Sequence, residues 1–325
     1  MATSDVTRRL GVRLPVKLRG RGPDGGTTET RVAAKPVELP AAVAVARSML
    51  IGLCALALWL VAFGLIFSRL QEHRTQHTLY ADFREKLALQ TARIGTDPNG
   101  RPIPTGEPVA VLNAPVAHIS NLVVVEGTGA EQTRSGPGHE RNTVLPGQAG
   151  ASVLYGRSVT FGAPFAQIAD LKPGDDIWAV TGQGRFQYQV EDVRRAGDPL
   201  PQPLRSGGSQ LTLVTSESSG SWWRAGWAPT GAVYVDALLV KPVTAPSAPG
   251  ALPAAAADEA PMDSDTSSMI VLVLWLQALL IAAVGVVWAW RRWGAWQTWI
   301  VGTVVMVALL WGASSSAALL LPNLV

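Results

Sequence analysis

One cysteine, Cys54, and four histidines, His73, His77, His118 and His139, are all the thiol and imidazole in 325 residues. No disulfide can form within the chain, and a thiol nucleophile is excluded everywhere outside the apolar run that holds Cys54. The histidines sit at no ligand-like spacing, which argues against a zinc site, and no residue pattern calls for a cofactor. Gly127-Thr128-Gly129 is too little for a phosphate loop, and no internal repeat is present. Charge is missing from three stretches: residues 49–67, residues 269–290, and everything from Trp293 to Val325. A helix of about 20 apolar residues crosses the hydrocarbon core of a bilayer, so all three are long enough. The alternative for each, a buried core helix, fits runs of this length less well.

Where charge is present, its sign sets an orientation. The first 48 residues carry nine Lys/Arg against four Asp/Glu, a net of +5, while residues 69–268 carry a net of −4. Arg291 and Arg292 form the short connection between the second and third apolar runs. Basic segments stay cytoplasmic, so the N-terminal tail lies inside and residues 69–268 lie outside, with Trp288, Trp290, Trp293 and Trp296 at the inner boundary. The basic tail reads as a topology signal near anionic lipid rather than a nucleic-acid site. The first run is too long for a cleaved signal peptide and is followed by no small-residue cleavage site.

The chain then divides as follows. Residues 1–46, rich in Gly, Thr and Arg without periodicity, read as a disordered cytoplasmic tail. Residues 47–68 form the first transmembrane helix, and 69–108 a stalk and linker, helical from Leu79 to Ile94 and turn-rich from Thr96 to Pro108. Between 109 and 241, short β-rich runs alternate with Gly, Pro and Asp: VAVL, NLVVVEG, ASVLYG, DIWAVTG, RFQYQVEDV, QLTLVTS and AVYVDALLV. Their spacing indicates a small all-β barrel or sandwich. Residues 242–268 form a Pro/Ala-rich acidic linker, and the second and third transmembrane helices occupy 269–290 and 296–321.

Four elements of the β-rich region occur together: VVVEGTG (123–129), GPGHERNTVLPGQAG (136–150), GAPFAQIADLKPGDDI (162–177) and LTLVTS (211–216). In this order and spacing the region from Val109 to Val240 resembles a sortase domain, most like the class E type of high-GC Gram-positive bacteria. The resemblance implies a mainly β fold, an eight-stranded barrel outside the membrane joined to transmembrane α-helices. It also implies a membrane-anchored cysteine transpeptidase that cuts a sorting signal on a secreted protein and joins it to a cell-wall amine.

The residues that carry that chemistry in the family are replaced. The segment LYGRSVTFGAPF has Arg157 where the family places a histidine, Ser216 stands at the cysteine position, and the arginine of the last strand aligns near Ala232. A serine hydroxyl attacks only with an adjacent base, and a guanidinium stays protonated at ordinary pH. His139 and Arg224 are the candidate substitutes. His139 also fits a hydrogen-bonded structural histidine, His118 an edge or core position, and nothing places Glu217 or Asp236 beside Ser216. Trp222, Trp223, Arg224 and Trp227 form a cluster after the Ser216 strand. It either seals a vacated groove, anchors a partner protein through residue types enriched in interface hot spots, or dips into the outer leaflet.

These readings converge on a catalytically inactive sortase-like protein of the plasma membrane, multi-pass, with a cytoplasmic N-terminus. It would bind or assemble cell-envelope or secreted proteins, with Gly312–Ala318 and Gln277 available to a membrane partner if they are not packed within the chain. The competing reading is acyl transfer or peptide cleavage through Ser216. Cysteines introduced at Ser135 and Ser206 should both react with a membrane-impermeant thiol reagent on intact cells. Reaction only after permeabilisation would reverse the orientation.

Overall fold

The structure, a computed structural model, describes residues 18–21, 27–30, 41–96, 99–195, 197–217, 231–241, 252–254, 260 and 268–324. It forms two compact units, Met1–Ala57 and Leu58–Val325. In the first, β1 (Leu18–Arg21) pairs antiparallel with β2 (Thr27–Thr30). This hairpin lies where a tail without regular structure was expected. Its second strand is TTET, and β-branched threonines favour the extended backbone.

Helix α1 (Ala41–Ala62) leads into a π-helical turn at Phe63–Phe67 and then α2 (Ser68–Ala88). Its apolar part, Leu50–Ala62, is shorter than a membrane crossing requires and is followed directly by the π-helical turn. Among the described residues two helices, not the three expected over 47–68, 269–290 and 296–321, are long and apolar enough to span. They are α4 (Ser268–Trp293) and, within α5 (Ala295–Ala318), Trp296–Ala318. Gly312 of α5 lies against the indole of Trp275 in α4, where an added Cβ would sit 2.6 Å from the ring. Trp59 Nε1 donates to Ser314 Oγ at 3.0 Å. The small-residue stretch of α5 is thus used for packing within the chain.

The helix after the π turn also differs from the expected stalk. It begins at Ser68 and ends at Ala88 rather than running from Leu79 to Ile94, and Gln90, at φ 57°, turns the chain out of helical geometry. It docks on the barrel. Phe83 is fully buried against Val111 and Val123, and Lys86 and Arg93 reach Glu107 at 3.1 and 3.3 Å. Gln76 is the clamp: its amide nitrogen donates to Val123 O (3.0 Å) and Ser135 O (2.8 Å), and its oxygen accepts from Val123 N (2.8 Å).

The barrel strands are β3 (Pro108–Ala114), β4 (Ile119–Glu126), β5 (Gly138–His139), β6 (Gly150–Tyr155), β7 (Asp176–Thr181), β8 (Gly184–Arg195), β9 (Ser209–Glu217) and β10 (Gly231–Lys241). A short helix, α3 (Ala130–Ser135), follows β4. The eight strands close in the order β10-β8-β7-β3-β4-β5-β6-β9, as the resemblance implied. Seven correspond to the β-rich runs; β5, two residues long, is too short to show any alternation. β4–β5 and β6–β9 are parallel, and the remaining barrel pairs are antiparallel. Inward positions at period two, such as Ile177, Ala179, Phe186, Tyr188, Leu211 and Leu213, fill one apolar core.

Removing the Gln76 clamp leaves the amide and carbonyl of Val123 without a side-chain partner. Gln76→Ala should therefore destabilise the barrel by about 3 kcal/mol, read by thermal unfolding of the detergent-solubilised chain through its near-ultraviolet circular dichroism. Thr78→Ala, on the exposed side of the same helix, should stay within about 0.5 kcal/mol.

Candidate functional site

Strand β9 is buried at every position from Ser209 to Ser216. An isolated strand alternates, so burial at consecutive positions means that both faces are covered. Leu211 and Leu213 point to the barrel core. Val214 lies on the opposite face, in a second cluster with Tyr155 and Leu324. Ser216, two residues on, shares that face. Its neighbour across the β10 ladder is Ala232. On its other side β6 ends at Tyr155, and Gly156 N continues the ladder to Val214 O at 2.9 Å. A Cβ on Gly156 would meet the Phe165 ring at 2.3 Å, so only glycine lets the strand exit at this point.

The two residues after Gly156 go separate ways. Arg157 is fully buried. Its Nη2 donates to Ala130 O (3.0 Å), its Nη1 to Thr160 Oγ1 (3.2 Å), and its guanidinium carbon lies 5.0 Å from the Phe161 ring centroid. Burial, and secondarily the charge of Arg134, lower its pKa to about 9, so it remains a cation at neutral pH. Ser158 instead faces Ser216, the two hydroxyls 2.5 Å apart.

Both serines bind a segment from far along the chain. After α5 ends, residues 319–324 turn back onto the barrel. The carbonyl oxygen of Leu324 accepts from Ser216 Oγ (2.9 Å) and Ser158 N (3.0 Å), and Ser158 Oγ, 3.3 Å away, shares its one proton between this oxygen and Ser216. The Leu324 side chain is fully buried beside Tyr155 and Val214, with Val153, Ala232 and Tyr234 packed against them. Asn323 Nδ2 donates to Thr128 O (2.9 Å) and Ala260 O (3.0 Å).

The family-model comparison matches residues 112–221 to the sortase domain. The barrel is a sortase domain. Sortase D of Bacillus subtilis is 30% identical over 86 residues, 26% of this chain and 41% of that protein, so the match spans about two-fifths of the relative's length. A solved structure of a sortase E variant from Streptomyces avermitilis is 30% identical, covering 42% of this chain and 90% of that one, with a TM-score of 0.34. A Clostridium perfringens sortase C solved with a C-terminal cell wall sorting motif is 19% identical, covering 52% and 89%, with a TM-score of 0.36.

On the sortase barrel the three positions singled out in sequence separate. Ser216 and Ala232 are direct cross-strand neighbours, whereas the Arg157 side chain turns away from Ser216 toward α3. Ser158 takes its place; it was not singled out in sequence, and residues 319–321 were expected in the third transmembrane helix, which ends at Ala318. His139 is buried with both ring nitrogens engaged, Nδ1 with Glu126 (2.8 Å), and Nε2 with Val144 O (2.9 Å) and Thr143 Oγ1 (3.2 Å). It ties β4 to the loop after β5. His118 is exposed, at a left-handed turn before β4. Glu217 binds Arg195 at 2.7 Å, and Asp236 binds Arg194, Thr212 and Gln210. Trp222, Trp223, Arg224 and Trp227 lie outside the described residues. Among the described residues no group of three His, Cys, Asp or Glu is placed to hold a metal.

The loop carrying Arg157 and Ser158 is under backbone tension. Phe161, Gly162 and Ala163 all have positive φ (47°, 77° and 50°), a conformation that costs non-glycine residues about 1–3 kcal/mol each. Surrounding contacts hold it there. Phe161 N donates to Ser68 Oγ at 3.1 Å, and its ring packs with Phe63, Phe67 and Ala318. A Cβ on Gly162 would lie 2.5 Å from a carboxylate oxygen of Glu72.

Glu72 is itself buried there, and loss of hydration raises its pKa from 4.5 to about 7. Arg69 and His118 line the same cavity. A carboxyl whose pKa rises on folding stabilises most below its unfolded value, and that contribution is lost as pH rises through the folded value. Wild-type stability relative to Glu72→Gln should therefore fall between about pH 4.5 and 7. Glu72→Gln should then be the more stable chain at pH 8 by about 2 kcal/mol. Paired denaturation curves across this window check it; parallel pH profiles would contradict it.

Proposed function

We propose that the chain is a cell-surface protein held at the plasma membrane by α4 and α5, whose sortase domain binds a cell-envelope or secreted polypeptide without cutting it. The observation that carries this reading is the bonding of Ser216. Its hydroxyl is engaged with another hydroxyl and a peptide carbonyl, and neither takes a proton near neutral pH. A serine nucleophile needs a base. Arg157 is a cation turned toward α3, and the Ala232 methyl opposite Ser216 stabilises no developing charge. The Ser158–Ser216 pair is suited to holding a carbonyl rather than attacking one.

Support for the membrane placement is the surface of α4 and α5, where Leu274, Ile281, Val284, Trp296, Trp299 and Val304 are exposed. A contiguous apolar surface of this kind is stable in lipid. Arg291 and Arg292 at the turn favour a cytoplasmic connection, with the barrel on the outer side. The cluster of Trp222, Trp223, Arg224 and Trp227, following β9 directly in sequence, is suited to anchor the partner.

Acyl transfer or cleavage through Ser216 is the competing reading. It is nearer to the family's chemistry and is favoured by the Leu324 carbonyl already seated 2.9 Å from Ser216 Oγ. The test is to incubate the detergent-solubilised chain with a sorting-motif peptide and an amine acceptor. No cleavage or transfer is expected, with no change on Ser216→Ala. Ser216→Cys alone should also stay inactive, since the missing general acid–base service is worth about 10²–10⁴-fold. An acyl adduct on Ser216, or a cut Leu324–Val325 bond in the intact mass, would overturn the binding reading.

A further inference from the structure

The segment after α5 is bound to the sortase barrel as a peptide ligand would be. Its backbone carbonyl at Leu324 accepts the Ser158 N–H and lies within reach of both hydroxyls, which divide their two protons between that carbonyl and each other. One apolar side chain fills a closed cluster between β6, β9 and β10. The preceding asparagine reads two backbone carbonyls, Thr128 O and Ala260 O. Among the described residues its Oδ1 is buried with no hydrogen-bond partner, so the fit on that side is incomplete. The contacts come from the ends of separate strands and from the loop after β4, which makes this a groove rather than a continuation of the barrel core.

We infer that residues 320–324 are an intramolecular occupant of a peptide-binding groove. When they leave, the same groove takes an external extended polypeptide presenting an asparagine followed by a leucine-sized apolar residue. This deepens the binding reading above and rests on it. The apolar cluster sets the side-chain size, and the Ser158 backbone N–H sets the register, because it can only donate and so needs a carbonyl at that position. The Thr128 carbonyl requires a donor side chain one residue earlier. A charged residue at the Leu324 position would be buried without a partner and is rejected. A tethered occupant on a short connection acts at an effective concentration of order millimolar. An external peptide of micromolar intrinsic affinity should therefore bind the intact chain at least about tenfold more weakly than a vacated one.

The fold supplies a handle for release. Leu321 is separated from Ala318, which packs on Phe161, by only two residues. The same loop that presents Ser158 to Leu324 is therefore clamped by the helix that delivers the segment.

The test uses the full chain in detergent with Cys54→Ala and Ser216→Cys, so that the one thiol reports access to the groove. The probe is the synthetic peptide Leu-Leu-Pro-Asn-Leu-Val. Labelling by a small thiol reagent should be slow in this background and at least tenfold faster when Leu324→Asp is added. The peptide should restore protection in a concentration-dependent way, and its analogue with aspartate in place of the second-last leucine should not. Equal labelling rates with and without Leu324→Asp, or no protection by the peptide, would overturn the inference. If Leu324→Asp loses the near-ultraviolet circular dichroism of the barrel, Leu324→Ala and Asn323→Ala carry the comparison, since they remove contacts without adding charge. Intact mass is recorded on the native Ser216 chain in parallel. An acyl adduct or a cut chain there sinks the binding reading alone, whereas absent protection with an unmodified chain sinks the occupancy proposal alone.

Discussion

Strand β9 is hydrogen-bonded to β6 on one side and β10 on the other, and the rest of the site depends on that closure. It satisfies the backbone of a strand buried from Ser209 to Ser216. It also brings the ends of β6 and β9 and the start of β10 to one place. Gly156 extends the pairing one residue beyond β6, where the Phe165 ring leaves no room for a side chain. From there the chain can only turn, and the turn sends Arg157 to one side and Ser158 to the other.

The consequence for chemistry is a division between charge and polarity. The only ionised group supplied by this turn is sequestered: Arg157 spends its donors on Ala130 O and Thr160, and its cation on the Phe161 face. What remains at the groove is a pair of hydroxyls and a backbone amide, a neutral donor set. Such a set recognises a carbonyl well, because it needs no change of protonation and is little screened by salt.

The helices do more than attach the barrel. Phe63 and Phe67, on either end of a π-helical turn, pack with Trp311 and Phe161, and Ser68 binds the backbone of Phe161. The positive-φ run at Phe161–Ala163 is held by these contacts rather than by its own preference. Packing at the foot of the helices and the geometry of the Ser158 loop are therefore coupled through a contiguous set of side chains.

Much of this molecule was legible in the residues themselves. Uncharged runs mark α4 and α5 because an apolar run of that length favours a helix out of water, and short β-rich runs between turn residues mark seven strands. The residue types at Arg157, Ser216 and Ala232 were also legible, since residue identity is a local fact. Other features depend on long-range contact. Whether the uncharged run at 49–67 is one continuous α-helix depends on a π turn that local composition does not encode. The two-residue β5 exists only because β4 and β6 flank it, and His139 is structural only because Glu126 and Val144 meet it. Above all, Ser216 and Leu324 are separated by over a hundred positions, and a hydroxyl has no periodicity to announce its partner. Sequence determined which groups stand at the site, because residue identity sets what each can donate or accept. Tertiary structure alone decided that the serine holds a carbonyl of its own chain, because only folding brings two such distant backbones within hydrogen-bond reach.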